Sequence, residues 1–309
     1  NGFSLEKLIF SWWNTALSPN ARSRNSENIE KLLINRQLAW QFILQFLVEK
    51  NTDFLALGEI SHEDVDFINS QLKNSNYKVL SGVSDVSPHL RFSHCYIYNS
   101  LRISINSLRD ITSSGSANGN LKIAQKITIN VINDDAIFIL FVLHWPSLRT
   151  EESNSPKRQL RAVRLRDKID ELDNNGNREN VHIIVMGDFN EEPYSDAIHN
   201  QLKASRDFLL VKKKKHLLFN PLWKQMSNMS WDRNCSGSYF FKSGEVTKWL
   251  NLDQVMISSS LLAETGWRYA LGQDSLVEIP TMVETVKSNK EIFDHLPIFC
   301  QLEKRENNV

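Results

Sequence analysis

Seven polar side chains stand where apolar runs of this 309-residue chain end or resume: Asn14, Glu59, His144, Asp188, Asn190, Asp294 and His295. An eighth, Asp253, is the one acid inside the apolar run LNLDQVMI. Singly, each has an ordinary explanation. Gly, Asp and Asn form turns, and a lone histidine is more often structural than catalytic. A carboxylate against an apolar strand, however, costs free energy unless it is paired or holds a metal. If the strands run the same way, the seven meet at one edge as three carboxylates, two amides and two imidazoles. Oxygen ligands of this kind select Mg²⁺, with Mn²⁺ or Ca²⁺ as alternatives, over zinc. No H-E-x-x-H and no Cys/His cluster argues for zinc. No Gly-rich phosphate loop and no G-x-S-x-G argues for a nucleotide triphosphatase or a serine hydrolase.

The segment from His182 to Asn190, HIIVMGDFN, shows the logic most clearly. Its apolar half predicts a strand buried on both faces. Gly187 lets the backbone turn, and Asp188 and Asn190 follow at the carboxyl end, where open α/β sheets place ligands. The same pattern recurs along the chain. Residues 7–13 predict a strand ending at Asn14, and 53–60 a buried strand carrying Glu59. Residues 136–143 predict a strand running into His144-Trp145-Pro146-Ser147, where Pro146 halts pairing. Helical spacing of apolar residues predicts a helix over 26–50 capped by Ser26, and others over 62–73 and 156–174. Residues 92–98 and 101–106 suggest a hairpin turning at Asn99-Ser100. A strand pair follows at 121–131 and 136–143. Further strands are expected at 77–81, 238–241, 250–257, 267–270 and after Pro297. Residues 109–120 are small and polar and predict a flexible hairpin tip, and 303–309 a polar tail. No repeat and no linker divides the chain, so 1–309 is expected to form a single domain.

The composition removes other classes. Thirty-six basic and thirty-six acidic residues cancel, so no global field draws the chain to a polyanion. Contact with nucleic acid would need a local patch. The run Lys212, Lys213, Lys214, Lys215, flanked by Phe219 and Trp223, is the best candidate, although most such runs are exposed loops. The arginines of 157–166 form a second basic region following His144. No apolar run approaches the roughly 20 residues of a membrane span. The cysteines Cys95, Cys235 and Cys300 are odd in number and widely spaced, which suits a reducing compartment. With no n-region and h-region at the start, a cytoplasmic location is expected, although residue 1 is Asn rather than Met.

Six segments together carry a family resemblance: WWNT with Asn14, LGEI with Glu59, LHWPS with His144, MGDFNEEP with Asp188 and Asn190, LDQVMIS with Asp253, and DHLP with Asp294 and His295. Each segment is weak alone, but the order and spacing resemble those of the endonuclease/exonuclease/phosphatase superfamily along nearly the whole chain. His144-Trp145-Pro146-Ser147 followed by Arg149, Pro156 and Arg158 is most similar to bacterial members. The resemblance implies a four-layered α/β/β/α sandwich, two mixed β-sheets face to face with helices outside. One departure stands out: the family usually has Ser or Thr before its final Asp-His, and here Phe293 occupies that place.

The resemblance also implies Mg²⁺-dependent hydrolysis of a phosphodiester, most fittingly as a nuclease on DNA or RNA by in-line attack of water. Glu59 would hold the metal with Asn14 and Asp294 beside it. Asn190 and His144 would donate to the phosphoryl oxygens. Asp253 would orient His295, and the proton work falls to Asp188 or His295, which the sequence leaves open. Ser147, Arg149, Arg158 and the four lysines are candidate substrate contacts, with Trp145 and Trp223 as candidate stacking surfaces. A phosphatase or a phosphoinositide- or sphingomyelin-type phosphodiesterase is the alternative on the same scaffold. An inactive binding module ranks lower, because the metal- and water-handling residues are all present.

Overall fold

The computed structural model describes residues 6–19, 29–87, 90–114, 119–173, 181–227, 235–272, 276–288 and 292–305. The first half contains β1 (Lys7–Asn14), α1 (Ile29–Glu49), β2 (Phe54–Gly58), α2 (His62–Gln71), β3 (Tyr77–Ser81), β4 (Ser84–Ser87), β5 (Leu90–Phe92), β6 (His94–Asn99), β7 (Ile103–Ser113), β8 (Leu121–Val131) and β9 (Ile137–His144). The second half contains α3 (Pro156–Asp173), β10 (Val181–Asp188), β11 (Ala204–Ser205), α4 (Phe208–Lys213), β12 (Leu218–Phe219), α5 (Trp223–Met226), β13 (Tyr239–Phe240), β14 (Trp249–Leu250), β15 (Asp253–Ser258), β16 (Gly266–Tyr269), α6 (Pro280–Ser288) and β17 (Ile298–Arg305).

Two large mixed sheets form the core. One has six strands in the order β16-β17-β1-β2-β6-β3, the other seven in the order β11-β12-β15-β10-β9-β8-β7. Strand alternation explains the layering. In β9, Phe138, Leu140 and Val142 face the other sheet, while Ile139, Phe141 and Leu143 pack with Ala162, Leu165 and Ile169 of α3. In β10, Ile184 and Met186 face inward while Ile183 and Val185 meet the α3 layer. Both faces are dry, which is why these strands are near-continuous apolar runs in sequence. Phe10 of β1 meets Phe138 across the inter-sheet gap at 5.4 Å. On the opposite face of β1, Trp13 packs against Phe42 and Phe46 of α1. The result is the expected α/β/β/α sandwich.

Polarity gathers the chemistry. β1 and β2 are parallel, as are β9 and β10, whereas β15 runs antiparallel to β10 and β17 antiparallel to β1. The carboxyl ends of a parallel pair and the first residues of its antiparallel neighbours lie at the same edge. Asn14, Glu59, His144, Asp188, Asp253 and His295 therefore converge although they span most of the chain.

Four expectations need correction. Residues 92–98 and 101–106 do not form a hairpin: β6 pairs with β2 and β3, whereas β7 pairs with β8 in the other sheet. The turn at Asn99-Ser100 carries the chain between sheets, a switch that local alternation does not encode. Residues 109–113 belong to β7, laddered onto β8 with irregular register at Ile105/Ser107 and Ile111/Thr112, so only the end of the proposed polar tip leaves the sheet. The tip residues 115–118 lie outside the described residues, as does Ser26. The proposed tail instead continues β17 through Arg305, paired with β16. The strand expected at 250–257 is two pieces, β14 and β15, with Asp253 opening the second. The three cysteines are buried. Among the described residues no helix is long and apolar enough to cross a membrane.

Candidate active site

Asp188 ends β10 opposite His144 of β9 and Asp253 of β15. It reaches that position because Gly187 has φ 148° and lies against Leu143, where an added Cβ would meet the Leu143 carbonyl oxygen at 1.9 Å. Only glycine lets β9 and β10 pair that closely. The Asp188 carboxylate is almost fully buried. Its Oδ1 accepts the backbone N–H of Asn190 at 2.8 Å and its Oδ2 accepts the Asn14 side-chain amide at 3.2 Å. Burial, reinforced by the charge of Asp253, pushes its pKa up to about 7, while His295 and the two amide donors act the other way.

His144 Nε2 faces two carboxylates equally, 3.7 Å from Glu59 Oε1 and 3.7 Å from Asp188 Oδ2. Burial holds its pKa well below the ordinary value, helped by the charges of Lys122, His94 and His295. Its Nδ1 is buried without a hydrogen-bond partner among the described residues. Glu59 follows β2 with φ 56°, and Asn190 has φ 50°. A side chain in the left-handed region costs about 1 kcal/mol or more, and such residues cluster at functional sites. The turn swings Glu59 out of the strand direction and toward His144. Asn190 Nδ2 donates to the Trp145 carbonyl at 2.9 Å, which ties the two strand-end loops together.

His295 and Asp253 form the tightest pair. His295 Nδ1 lies 2.7 Å from Asp253 Oδ2, and both residues are buried. Burial opposes charge on His295, but Asp253, Asp294 and Asp188 outweigh it and hold the imidazole well above its ordinary pKa. Its Nε2 lies 3.8 Å from Asp188 Oδ2 and 3.8 Å from Asp294 Oδ1, so the ring points from Asp253 into the carboxylate cluster. Tyr239 of β13 covers the ring at 4.8 Å between centroids.

The donor set fits a hard divalent cation. Glu59, Asp188 and Asp294 supply carboxylate oxygens around one imidazole pair, and Asp294 is partly exposed. Asn14 Oδ1 already accepts the Ala16 N–H at 3.1 Å, so that oxygen keeps only its second lone pair. Asp188, Asp253 and His295 also lie within 4.8 Å of one another. Both oxygens of Asp253 are occupied, however, by Trp12 and His295, which makes that carboxylate a hydrogen-bonding partner of the imidazole rather than an open ligand.

The expected substrate contacts separate into two groups. Arg149 is exposed at the site, where its charge acts on Tyr239, and Ser147 opens the turn that carries it. Arg158 is not free to meet a substrate. Its side chain is fully buried and donates to the carbonyls of Pro146, Glu151, Glu152 and Asn190, with Glu191 at 3.4 Å. It fastens the loop after β9 to the loop after β10. Lys212 pairs with Glu264, and Lys212 and Lys215 line a cavity of about 620 Å³ with Val181 and His182. Those two residues open β10, eight residues long, whose far end carries Asp188; at ~3.3 Å per residue the lysine run is displaced from the reacting edge by roughly 23 Å. Trp145 is buried against Phe189 and donates to the Ile123 carbonyl, so it offers no stacking face, and Arg206 lies 5.0 Å over Trp223.

Sequence reasoning missed Lys122, Tyr239, Trp12 and Trp13. Lys122 near the start of β8 is electrostatically coupled to Glu59 and Asp188, and burial lowers its pKa to about 8 against their pull. Its signal in sequence is a cation at the second position of the run LKIAQKITINV. Tyr239 sits in a short hairpin, β13–β14, where Phe240 and Trp249 pair at 4.9 Å.

Solved structures share the fold. The human Nocturnin catalytic domain with bound sulfate anion superposes with a TM-score of 0.60 at 16% identity, covering 96% of this chain and 94% of that one. ANGEL2, a 2′,3′-cyclic phosphatase, gives 0.64 at 12% identity over 97% and 95%. TDP2 of D. rerio complexed with single strand DNA product gives 0.58 at 14% identity over 96% and 98%. No curated protein sequence matches the chain. The model of the endonuclease/exonuclease/phosphatase family matches residues 21–304, and the chain belongs to that family.

Proposed function

We propose that this hydrolase is a Mg²⁺-dependent phosphodiesterase acting on nucleic acid, DNA or RNA. The observation that carries the reading is His144 Nε2 set 3.7 Å from both Glu59 and Asp188, with the Asp253–His295 pair directed at Asp188 as well. A divalent cation held by Glu59, with Asn14 and Asp294 beside it, would neutralise the non-bridging oxygens and the developing charge on the leaving oxygen.

The chain's own groups supply the rest. Asp188, its pKa pushed up to about 7, has the basicity to take a proton from water near neutral pH while its second oxygen stays fixed by Asn190. As the water oxygen bonds to phosphorus, the opposite P–O bond breaks in line. His295, kept protonated by Asp253, directs a positive Nε2–H at the phosphoryl group as its charge grows. Neutral His144 donates from Nε2, and Lys122 adds a cation at the same edge. Asn190 holds Asp188 and the Trp145 loop in register.

Arg149 and the aromatic hairpin beside His295 favour a nucleic acid over a small phosphate monoester, since a cation and rings suit backbone and bases. The test is a panel of supercoiled plasmid, single-stranded DNA, RNA, a phosphoinositide and bis(p-nitrophenyl) phosphate, with Mg²⁺ and with chelator. Cleavage of a polynucleotide only with Mg²⁺ supports the reading. Release of inorganic phosphate from the phosphoinositide with no polynucleotide cleavage would overturn it in favour of a phosphatase.

A further inference from the structure

Two consecutive tryptophans of β1 each donate an indole N–H to the Asp253–His295 pair. Neighbouring strand residues point to opposite faces, so Trp12 faces the second sheet and Trp13 faces α1. Trp12 Nε1 crosses the inter-sheet gap to Asp253 Oδ1 at 2.7 Å, and Trp13 Nε1 reaches the His295 carbonyl at 3.1 Å. Both side chains are fully buried.

The two rings are themselves held. The Trp12 indole lies where a Cβ on Gly58 would come within 2.5 Å of it, and His94 meets its face edge-on at 5.7 Å and 87°. Trp13 stacks on Phe293 at 5.7 Å and 29°, and Phe42 of α1 meets both rings edge-on. Phe293 is the residue where the family usually has a small hydroxyl, and its ring is turned into the α1 layer. Asp253 is consequently fixed at three points: Trp12 on one oxygen, His295 on the other, and its backbone N–H on Ser238 Oγ at 2.9 Å.

A buried indole N–H needs a partner, and a partner alone would be ordinary core satisfaction. Here the acceptors are the carboxylate that orients His295 and the backbone carbonyl of His295 itself. We propose that Trp12 and Trp13 are positioning residues of the catalytic pair, Trp12 fixing the Asp253 carboxylate and Trp13 the backbone that carries the imidazole. The proposal rests on the reading of Asp253 and His295 as a catalytic pair, and its test separates the two.

Trp12→Phe and Trp13→Phe keep an aromatic ring and remove the donor. Turnover of bis(p-nitrophenyl) phosphate with Mg²⁺ is measured for both, alone and combined with Asp253→Asn. A hydrogen bond to a charged group predicts that Trp12→Phe lowers kcat roughly 10- to 100-fold with KM within about twofold, and the neutral bond of Trp13 predicts roughly 3- to 10-fold. In the Asp253→Asn background Trp12→Phe is expected to cost less than about threefold, because both changes remove one function. Equal losses in the two backgrounds would make Trp12 a packing residue and overturn the proposal while leaving the pair intact. Without metal or substrate, the Trp12 indole N–H resonance, identified by its loss in Trp12→Phe, is expected downfield and to move upfield in Asp253→Asn. A resonance indifferent to that change also overturns the proposal. A wild type that turns over none of the phosphoesters tested would overturn the catalytic reading, and the positioning role with it.

Discussion

His295 Nδ1 and Asp253 Oδ2 lie 2.7 Å apart between two residues that contact almost no solvent. A buried carboxylate hydrogen-bonded to one imidazole nitrogen fixes which nitrogen faces the substrate and stabilises the protonated ring. Asp253→Asn keeps the shape and loses the charge. The expected result is a kcat lower by roughly 10²- to 10⁴-fold with circular dichroism and KM little changed. A loss of less than tenfold would remove His295 from the proton and charge work.

Glu59 is turned out of its strand by φ 56° and set 3.7 Å from His144 Nε2, where a cation at the site would meet its carboxylate. A cation that binds only the folded state raises stability by RT ln(1 + [L]/Kd), about 2.7 kcal/mol at a hundredfold excess over Kd. Mg²⁺ is therefore expected to raise the melting temperature of the wild type and to leave Glu59→Ala unmoved. A shift of the same size in both would place the cation elsewhere.

Gly187 is required by contact as well as by conformation, with the Leu143 carbonyl at 1.9 Å from any Cβ. Gly187→Ala is expected to cost more than about 2 kcal/mol in urea unfolding and to lower activity, because β9 and β10 must part where His144 and Asp188 face each other. Unchanged midpoint and activity would show that the two strands can separate there without consequence.

Acid should unfold the protein partly through two histidines outside the proton work. Burial lowers the pKa of His94 to about 3, with the Lys122 charge adding to it, and lowers that of His182 to about 4. A histidine with a depressed folded pKa binds its proton more readily when unfolded. Its contribution is whole above pH 6.5 and is lost as pH falls toward 3 for His94 and toward 4 for His182, at roughly 1.4 kcal/mol per pH unit each. His182→Phe is expected to flatten the loss of urea midpoint between pH 6.5 and 4 relative to wild type. An unchanged slope would mean that His182 is as readily protonated in the folded chain as in the unfolded one.

The edge of the fold was legible because each candidate residue closes or opens an apolar run. Asn14, Glu59, His144 and Asp188 end parallel strands, and Asp253 and His295 lie at the starts of antiparallel ones, so strand polarity alone brings them together. What the sequence hid depends on tertiary placement. Whether Arg158 meets solvent or carbonyl groups is decided by two loops that local pattern does not dock. The lysine run looks like a substrate wall until α4 is seen at the start of β10, the wrong end of the sheet. Lys122 belongs to the site only because β8 lies beside β9, and Trp12 reaches Asp253 only because two sheets face each other.

Single-turnover cleavage of plasmid or bis(p-nitrophenyl) phosphate by wild type and Asp188→Ala, each with Mg²⁺ and with chelator, tests the catalytic edge most directly. The expected result is metal-dependent cleavage by wild type and a rate at least about 10³-fold lower for Asp188→Ala with its fold retained. Equal rates for the two proteins would contradict the account, since the carboxylate on which His144 and His295 converge would then take no part in the reaction.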